Sequence, residues 1–201
     1  MQMLRQLAVF LVATGILTSC GAGHDSNPQG SSKAYQAVYQ VPRGNLFSEE
    51  RIWADGHGHF RMDVDGAGPL LPKIVTVWDM SSNETTVWSE GENARKAYAR
   101  GPSPPINVLK MMVAPDSYPR GNDIQLLGNK TIDGHKCHGW GNSSGTESWI
   151  DDEYGCIVQG TASSGSEPMK MTSFSTSAPD PSLFMPPSEY VSAQTTSNRT
   201  D

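Results

Sequence analysis

Apolar and polar residues alternate with a period of two along most of the chain. In residues 57–65, Phe60, Met62 and Val64 alternate with polar neighbours, which is the pattern of a strand with one buried and one wet face. Turn dipeptides such as Asp55-Gly56 separate these segments at spacings of about ten residues. Strands with one wet face belong to antiparallel sheets, so the pattern predicts an antiparallel β meander.

The same reasoning assigns twelve strand segments. Residues 57–65 place polar side chains on the wet face, namely His57, His59, Arg61, Asp63 and Asp65. Residues 73–80 carry apolar side chains on both faces, which favours a central position in the sheet. The remaining segments are 34–41, 47–54, 84–89, 94–100, 124–127, 130–133, 135–140, 146–151, 156–161 and 169–175.

The alternation stops between residues 101 and 119. Residues 106–113 are mostly apolar, with Pro105 before them and Pro115 after them, which is typical of two turns of helix. An apolar loop packed on the core is the alternative. Further on, residues 179–190 are predicted to run extended along the surface, docked through Leu183, Phe184 and Tyr190.

The N-terminus carries the features of a lipoprotein signal. Residues 7–17 are apolar and uncharged, but eleven helical residues rise only about 16 Å, whereas a membrane span needs about 20 residues. Leu17-Thr18-Ser19-Cys20 resembles the bacterial lipobox, which predicts cleavage before Cys20 and lipidation of that residue. An ordinary secretory signal with a chance cysteine is the alternative.

This interpretation divides the chain into four parts. Residues 1–19 form the signal peptide, and residues 20–33 form a polar, Gly- and Ser-rich tether. Residues 34–190 form the β domain, and residues 191–201 form a disordered tail. The acyl chains on Cys20 place the protein in the cell envelope. By resemblance to lipoproteins of Gram-negative bacteria, Gly21 fits sorting to the outer membrane; in other bacteria, the outer face of the plasma membrane is expected.

Composition narrows the partner classes. The formal net charge is −6, and the few basic residues are scattered, which argues against a nucleic-acid partner. Hydrophobic residues make up 36% of the chain, below the usual share, and 20 Gly and 14 Pro are typical of strands and turns. No cofactor-binding motif is present, and the sequence does not determine the oligomeric state.

Three segments together resemble a known family. They are residues 127–137, which contain Gly128, Ile132, Gly134 and Cys137; Trp149-Ile150-Asp151; and the closing segment Phe184-Met185-Pro186-Pro187-Ser188-Glu189-Tyr190. Their order is similar to that in the lipoprotein-carrier superfamily of LolA/LolB-like and RseB-like half-barrels. The resemblance implies a mainly β fold, with a single curved antiparallel sheet that is open on one side and has a short helical lid. It also implies that the concave face binds acyl chains or other hydrophobic ligands.

Large apolar side chains are candidates for lining such a pocket. We expect the lid to contribute Ile106, Leu109 and Met112, and the sheet to contribute Trp78, Trp88 and Trp149. Each of these residues also fits an ordinary core position.

Cys137 and Cys156 are a possible disulfide, because paired cysteines outside the cytoplasm are usually bridged. A simple meander would place one strand between them, at about 9.6 Å, whereas a disulfide needs Cα atoms within about 7 Å. Composition therefore favours the bridge and topology opposes it.

Histidine chemistry gives a weaker hypothesis. A metal site requires His57 and His59 to converge with His135 or Cys137, and nothing in the sequence brings them together. Residues 151–153 form an acidic cluster that fits a solvated hairpin turn better than an acid–base pair. No nucleophile elbow, phosphate loop or zinc-protease motif occurs, so we expect a protein that is not an enzyme.

The sequence thus predicts a lipid-anchored, non-enzymatic lipoprotein that binds a hydrophobic ligand or a lipidated partner in a concave sheet face. The first alternative is an envelope interaction or sensor module whose concavity is filled by its own lid. The second alternative is an extracytoplasmic metal-binding protein.

Overall fold

The computed structural model describes residues 33–44, 46–65, 72–92, 94–104, 108–117 and 123–193. Cys20 and Ile106, two residues singled out in the sequence, lie outside these ranges. Among the described residues, no helix is long and apolar enough to cross a membrane.

Within the described residues, twelve strands form one sheet in the order β12-β6-β5-β4-β3-β2-β1-β11-β10-β9-β8-β7. All neighbours pair antiparallel except β12 and β6, which are parallel. The predicted mainly β fold with a single open sheet is therefore confirmed. The strands are β1 (Ala34–Arg43), β2 (Leu46–Asp55), β3 (His59–Val64), β4 (Lys73–Asp79), β5 (Glu84–Glu90), β6 (Ala97–Pro102), β7 (Gln125–Ile132), β8 (His135–Gly141), β9 (Glu147–Asp151), β10 (Ile157–Thr161), β11 (Met169–Ser175) and β12 (Val191–Ser192).

In the described part of the chain, three short helical elements accompany the sheet. The α-helix α1 (Val108–Val113) and the 3-10 turn η1 (Pro115–Ser117) lie between β6 and β7, and the 3-10 turn η2 (Pro181–Phe184) follows β11. The helical alternative for the apolar run after Pro105 is therefore confirmed for Val108–Val113.

Two predicted boundaries differ from the structure. Residues 124–127 and 130–133 contribute to one strand, β7, because the chain forms a bulge between Leu126 and Gly128 instead of a turn. Gly128 has a φ of +96°, which glycine adopts without strain. In addition, Val191–Ser192, predicted to belong to a disordered tail, pairs with β6 as strand β12.

The sheet curves around α1. Leu109 of α1 packs near Met62 and Thr76, on β3 and β4, whereas Asp116 of η1 accepts a hydrogen bond from the Trp140 indole of β8. β4 and β8 are seven positions apart in the strand order, which would separate them by about 34 Å in a flat sheet. Because α1 and η1 together span only about 15 Å, the sheet is curved and its α1 side is concave.

Most of the concave face is a dry core. Cross-strand register aligns Ala37, Ile52 and Met62 in one row, and the ring of Phe60 stacks on that of Trp78 at 5.4 Å. α1 adds Leu109 and other apolar side chains to this layer. The largest fully buried members are Tyr35, Tyr39, Ile52, Phe60, Trp78, Leu109, Val113 and Ile150.

The C-terminal segment covers part of the convex face. Val75, Val77 and Trp88 form a second, smaller core there, against which Phe184 and Tyr190 pack. The Tyr190 hydroxyl donates a hydrogen bond to the Ser89 carbonyl at 2.9 Å. The predicted docking of Phe184 and Tyr190 is confirmed.

Beneath this C-terminal segment, two residues predicted to lie on a wet face are buried. The alternation pattern places Arg61 and Asp63 on a wet face, yet each is only 5% exposed. The Arg61 guanidinium forms two hydrogen bonds with Asp63 and donates a third to the Leu183 carbonyl at 2.8 Å. It lies 5.3 Å from the ring centroid of Trp53 and 5.5 Å from that of Trp88. A buried cation is tolerated here because its donors are paired and its faces contact aromatic rings.

We expect Arg61→Met to lower the free energy of unfolding by ~3–5 kcal/mol, because it leaves Asp63 buried without its main partner. Arg51→Met is the matched control, since Arg51 pairs with Glu49 in the open, where both side chains are at least half exposed. This control should cost less than about 1 kcal/mol. Urea unfolding of both variants measures the difference, and equal losses would contradict the role assigned to Arg61.

Candidate ligand cavity

One end of the concave face is not filled. A cavity of about 470 Å³ lies between α1 and strands β3 to β6, and we call it the α1 cavity. Its lining is mostly apolar, with threonine hydroxyls among the polar atoms. The lining residues are Met62, Thr76, Thr85, Val87, Ala99, Arg100, Gly101, Pro102, Pro104, Val108 and Leu109.

The cavity exists because the floor side chains beyond Met62 are small. The floor is a cross-strand row in which Met62 pairs with Thr76, Thr76 with Val87, and Val87 with Ala99. Side chains in one such row lie side by side on one face of the sheet. Since Val and Ala occupy the β5 and β6 positions, space is left under α1 that is filled elsewhere by Trp and Phe.

Arg100 lines the cavity but does not place its charge inside. Its register partner is Thr86, whereas the floor residues Val87 and Ala99 pair with each other, so the Arg100 side chain projects to the opposite, convex face. There its Nε lies 3.6 Å from a carboxylate oxygen of Glu84. The cavity therefore offers an apolar, uncharged environment.

α1 is held over the sheet by a clasp formed by Asp116, His138, Trp140 and Asp152. The two ring nitrogens of His138 lie 2.7 Å from an Asp152 oxygen and 3.1 Å from an Asp116 oxygen. The Trp140 indole donates to the other oxygen of Asp116 at 3.2 Å. Because Asp116 follows α1 by three residues, this clasp fixes the end of the helix that lies farther from the cavity.

We expect His138→Gln to loosen α1 and to lower the free energy of unfolding by about 1 kcal/mol, because both side-chain links are partly exposed. Hydrogen exchange of the α1 amides should become faster. His59→Gln is the control, since His59 makes a comparable 2.6 Å contact with Asp55 but lies on the convex face. Equal exchange in the two variants would argue against the clasp.

The structure does not bring the three predicted tryptophans together. Trp78 lies in the concave core beside α1, with the Lys110 amine 5.4 Å from its ring centroid, and Met112 and Leu109 are buried in the same core. Trp88 belongs to the convex core. Trp149, on β9, belongs to the same buried cluster as Trp78, although five strands separate β9 from β4 in the sheet order.

Cys137 and Cys156 are both free thiols in the structure. Cys137 pairs with Asp151 across β8 and β9, and the Asp151 amide donates to the Cys156 carbonyl, so Asp151 lies between them. Burial, together with the nearby Asp151 charge, raises the pKa of Cys137 to about 11 and that of Cys156 to about 12. Such thiols are protonated at neutral pH and are poor nucleophiles.

We expect iodoacetamide to leave both buried cysteines of the folded Cys20→Ser protein unmodified at neutral pH. In denaturant without reductant, both should be alkylated, because unfolding restores ordinary thiol exposure and pKa. Mass spectrometry counts the adducts. A denatured chain that accepts no label until it is reduced would show a Cys137–Cys156 bridge instead.

The histidines named as metal candidates lie apart. His59 is on β3 and His135 is on β8, with five strands between them. His59 contacts Asp55, and His135 contacts Asp151, each at 2.6 Å. Within the described ranges, no group of three or more His, Cys, Asp or Glu side chains is placed to hold a metal ion.

In the acidic turn, Asp152 and Glu153 are exposed as expected, but Asp151 is buried. Asp151 is 3% exposed and accepts hydrogen bonds from the amides of Glu153 and Tyr154 in addition to its contact with His135. It therefore organises the turn between β9 and β10. This role was missed from the sequence, and so were the floor residues Thr76, Val87 and Ala99, whose small size was the available signal.

No family model matches the sequence, and no curated protein matches it. Solved structures of similar shape exist at low identity. PNGF-II in a C2 space group is 12% identical, with a TM-score of 0.52, over 80% of this chain and 30% of that one. An uncharacterized conserved protein from Thermus thermophilus is 17% identical, with a TM-score of 0.51, over 81% of this chain and 90% of that one.

A complex of MucA and MucB from Pseudomonas aeruginosa is also similar. The identity is 15% and the TM-score 0.45, over 82% of this chain and 58% of that one. The chain thus spans less than a third of the PNGF-II chain and somewhat over half of the chain matched in this complex. The two structures with TM-scores above 0.5 support the fold alone, and membership in a particular superfamily stays a prediction.

Proposed function

We propose that this protein is a non-enzymatic, lipid-anchored protein of the cell envelope that binds a hydrophobic chain in the α1 cavity. The observation that carries the proposal is the apolar gap between α1 and strands β3 to β6 on the concave face. The volume of about 470 Å³ falls in the range of small-molecule sites, which is about 300–1,000 Å³.

The energetics favour an aliphatic ligand. Each buried methylene contributes about 0.8 kcal/mol, so eight methylenes contribute about 6 kcal/mol before the costs of association. A gain of about 6 kcal/mol corresponds to a Kd of about 40 µM, and the costs of association weaken the affinity from there, so it is moderate at best. A moderate affinity suits reversible binding of a chain that the protein takes up and releases.

The predicted anchor supports this function by position. Acyl chains on Cys20, followed by the polar tether of residues 20–33, would hold the β domain next to a membrane surface. There the local supply of acyl chains is high, which compensates for a moderate affinity. Without the anchor, the same cavity would meet few aliphatic ligands in water.

The test is direct binding of decanol to the mature chain, residues 20–201, carrying Cys20→Ser and purified without detergent. Displacement of the neutral fluorophore N-phenyl-1-naphthylamine reports occupancy, and native mass spectrometry reports any ligand that co-purifies. Ala99→Trp fills the cavity from its exposed outer floor, so we expect at least a tenfold loss of affinity. Ala99 is exposed, so the larger side chain should not disturb the core.

Ser173→Trp is the control, because Ser173 is an exposed position on β11, outside the cavity lining. It should bind decanol as the unmodified protein does. Equal binding by both variants would place the ligand elsewhere. No binding by any of them would favour the first alternative, an envelope interaction module with a self-filled concavity.

A further inference from the structure

Among the described lining residues, the α1 cavity has a closed inner end and an open outer end; residues 105–107, which connect Pro104 to Val108, lie outside the described ranges. Along its floor, Met62 is 7% exposed, Thr76 and Val87 are partly buried, and Ala99 is exposed. Exposure also increases along the roof, because Leu109 is fully buried whereas Val108, the residue before it, is 54% exposed. Both surfaces therefore open in the same direction, toward β6.

The inner end is closed by the continuing core. Beyond Met62, the same cross-strand row continues through Ile52 to Ala37, which are 0% and 2% exposed. A ligand cannot pass this point without displacing buried side chains. Met62 is therefore the floor residue at which the cavity ends.

The outer end is bordered by apolar and small residues. Exposed Ala99, Pro102 and Pro104 surround it, and the Arg100 charge projects to the other face of the sheet. No charged side chain among the lining residues reaches into this opening to select a head group. A head group at the opening would thus remain in water.

We propose that one unbranched alkyl chain enters the α1 cavity end-on from the β6 side, with its head group outside. We also propose that Met62 sets the usable chain length. This inference rests on the function proposed above. The occupant class is the acyl chain of an amphiphile with a head group of any size, such as a membrane lipid or a lipidated protein. Sealed binding of a whole small lipid is a different mode and is an outcome of the test below.

The depth gives the chain length. From Met62 on β3 to Ala99 on β6, the floor crosses three strand spacings, or about 14 Å. An extended chain of tetrahedral carbons advances about 1.2 Å per bond, as the backbone itself does. About twelve bonds of the ligand therefore lie inside, and further carbons extend into water.

The experiment uses octyl, decyl, dodecyl and tetradecyl maltoside, each below its micelle concentration, with decanol as a reference without the bulky head. Binding is measured on the same mature Cys20→Ser chain. We expect affinity to rise about fourfold per methylene and to level off near dodecyl. Decyl maltoside should bind within about threefold of decanol, because the head lies outside.

Variants at Met62, at the inner end of the floor, and at Val87, in its middle, test the limit on chain length. Met62→Ala should move the plateau to the tetradecyl chain, and Val87→Phe should move it to a shorter chain by narrowing the middle of the floor. Val38→Phe is the matched control, since Val38 pairs with Arg51 and Ser173 on the convex face. If Met62→Ala does not fold, the plateau near dodecyl in the unmodified protein still tests the length limit, and Val87→Phe still tests whether the chain lies along this floor.

The outcomes separate this inference from the function on which it rests. Binding of decanol but not of decyl maltoside would overturn end-on entry and indicate a sealed site, while ligand binding itself would stand. A series without a plateau, or a plateau that neither variant moves, would overturn the role of Met62. Absence of binding for every probe would overturn the proposed function as well.

Discussion

The packing of one short segment on distant parts of the sheet is the constraint on which the structure depends. α1 and η1 contact β3 and β4 on one side and β8 on the other, although these strands lie far apart in the sheet order. The sheet meets both contacts only by curving, and the curve creates a concave face for the aromatic core. Where the side chains of that face become small, the same segment covers a space that it does not fill.

The convex face solves a different problem. Its polar side chains include Arg61, Asp63, Lys73 and Glu90, and the C-terminal segment removes the first two from water. Burying charges is costly unless each is paired, so the segment and the charge network depend on each other. The two faces are therefore stabilised by different means, dry packing on the concave side and compensated charge on the convex side.

The strands could be predicted from the sequence because alternation is a local property. β1 to β6 and β8 to β11 lie within a few residues of the positions that the pattern gives. The Gly128 bulge was missed because Gly-Asn is equally typical of a turn and of a bulge, and only the partner strand distinguishes them.

The burial of Arg61 could not be predicted, because its cover comes from Leu183, more than a hundred residues later. The cavity could not be predicted for the same reason. The sizes of Thr76, Val87 and Ala99 are visible in the sequence, but their alignment in one row requires the register of three strands. The Asp116–His138 contact likewise joins residues 22 positions apart, across a segment with no repeating pattern. The sequence shows local preferences, but it does not show which residues far apart in the chain lie together in the fold.

An open sheet leaves a strand at each end to which another chain's strand could add, and this protein blocks the two ends differently. At β6 its own β12 pairs in parallel and occupies the outermost backbone groups near Ala97 and Tyr98. At β7 the bulge at Gly128 interrupts the regular ladder, and Lys130 places a charge on the strand. Both features oppose edge-to-edge pairing between the sheets of different molecules. They therefore protect this open sheet from forming fibres through its edges.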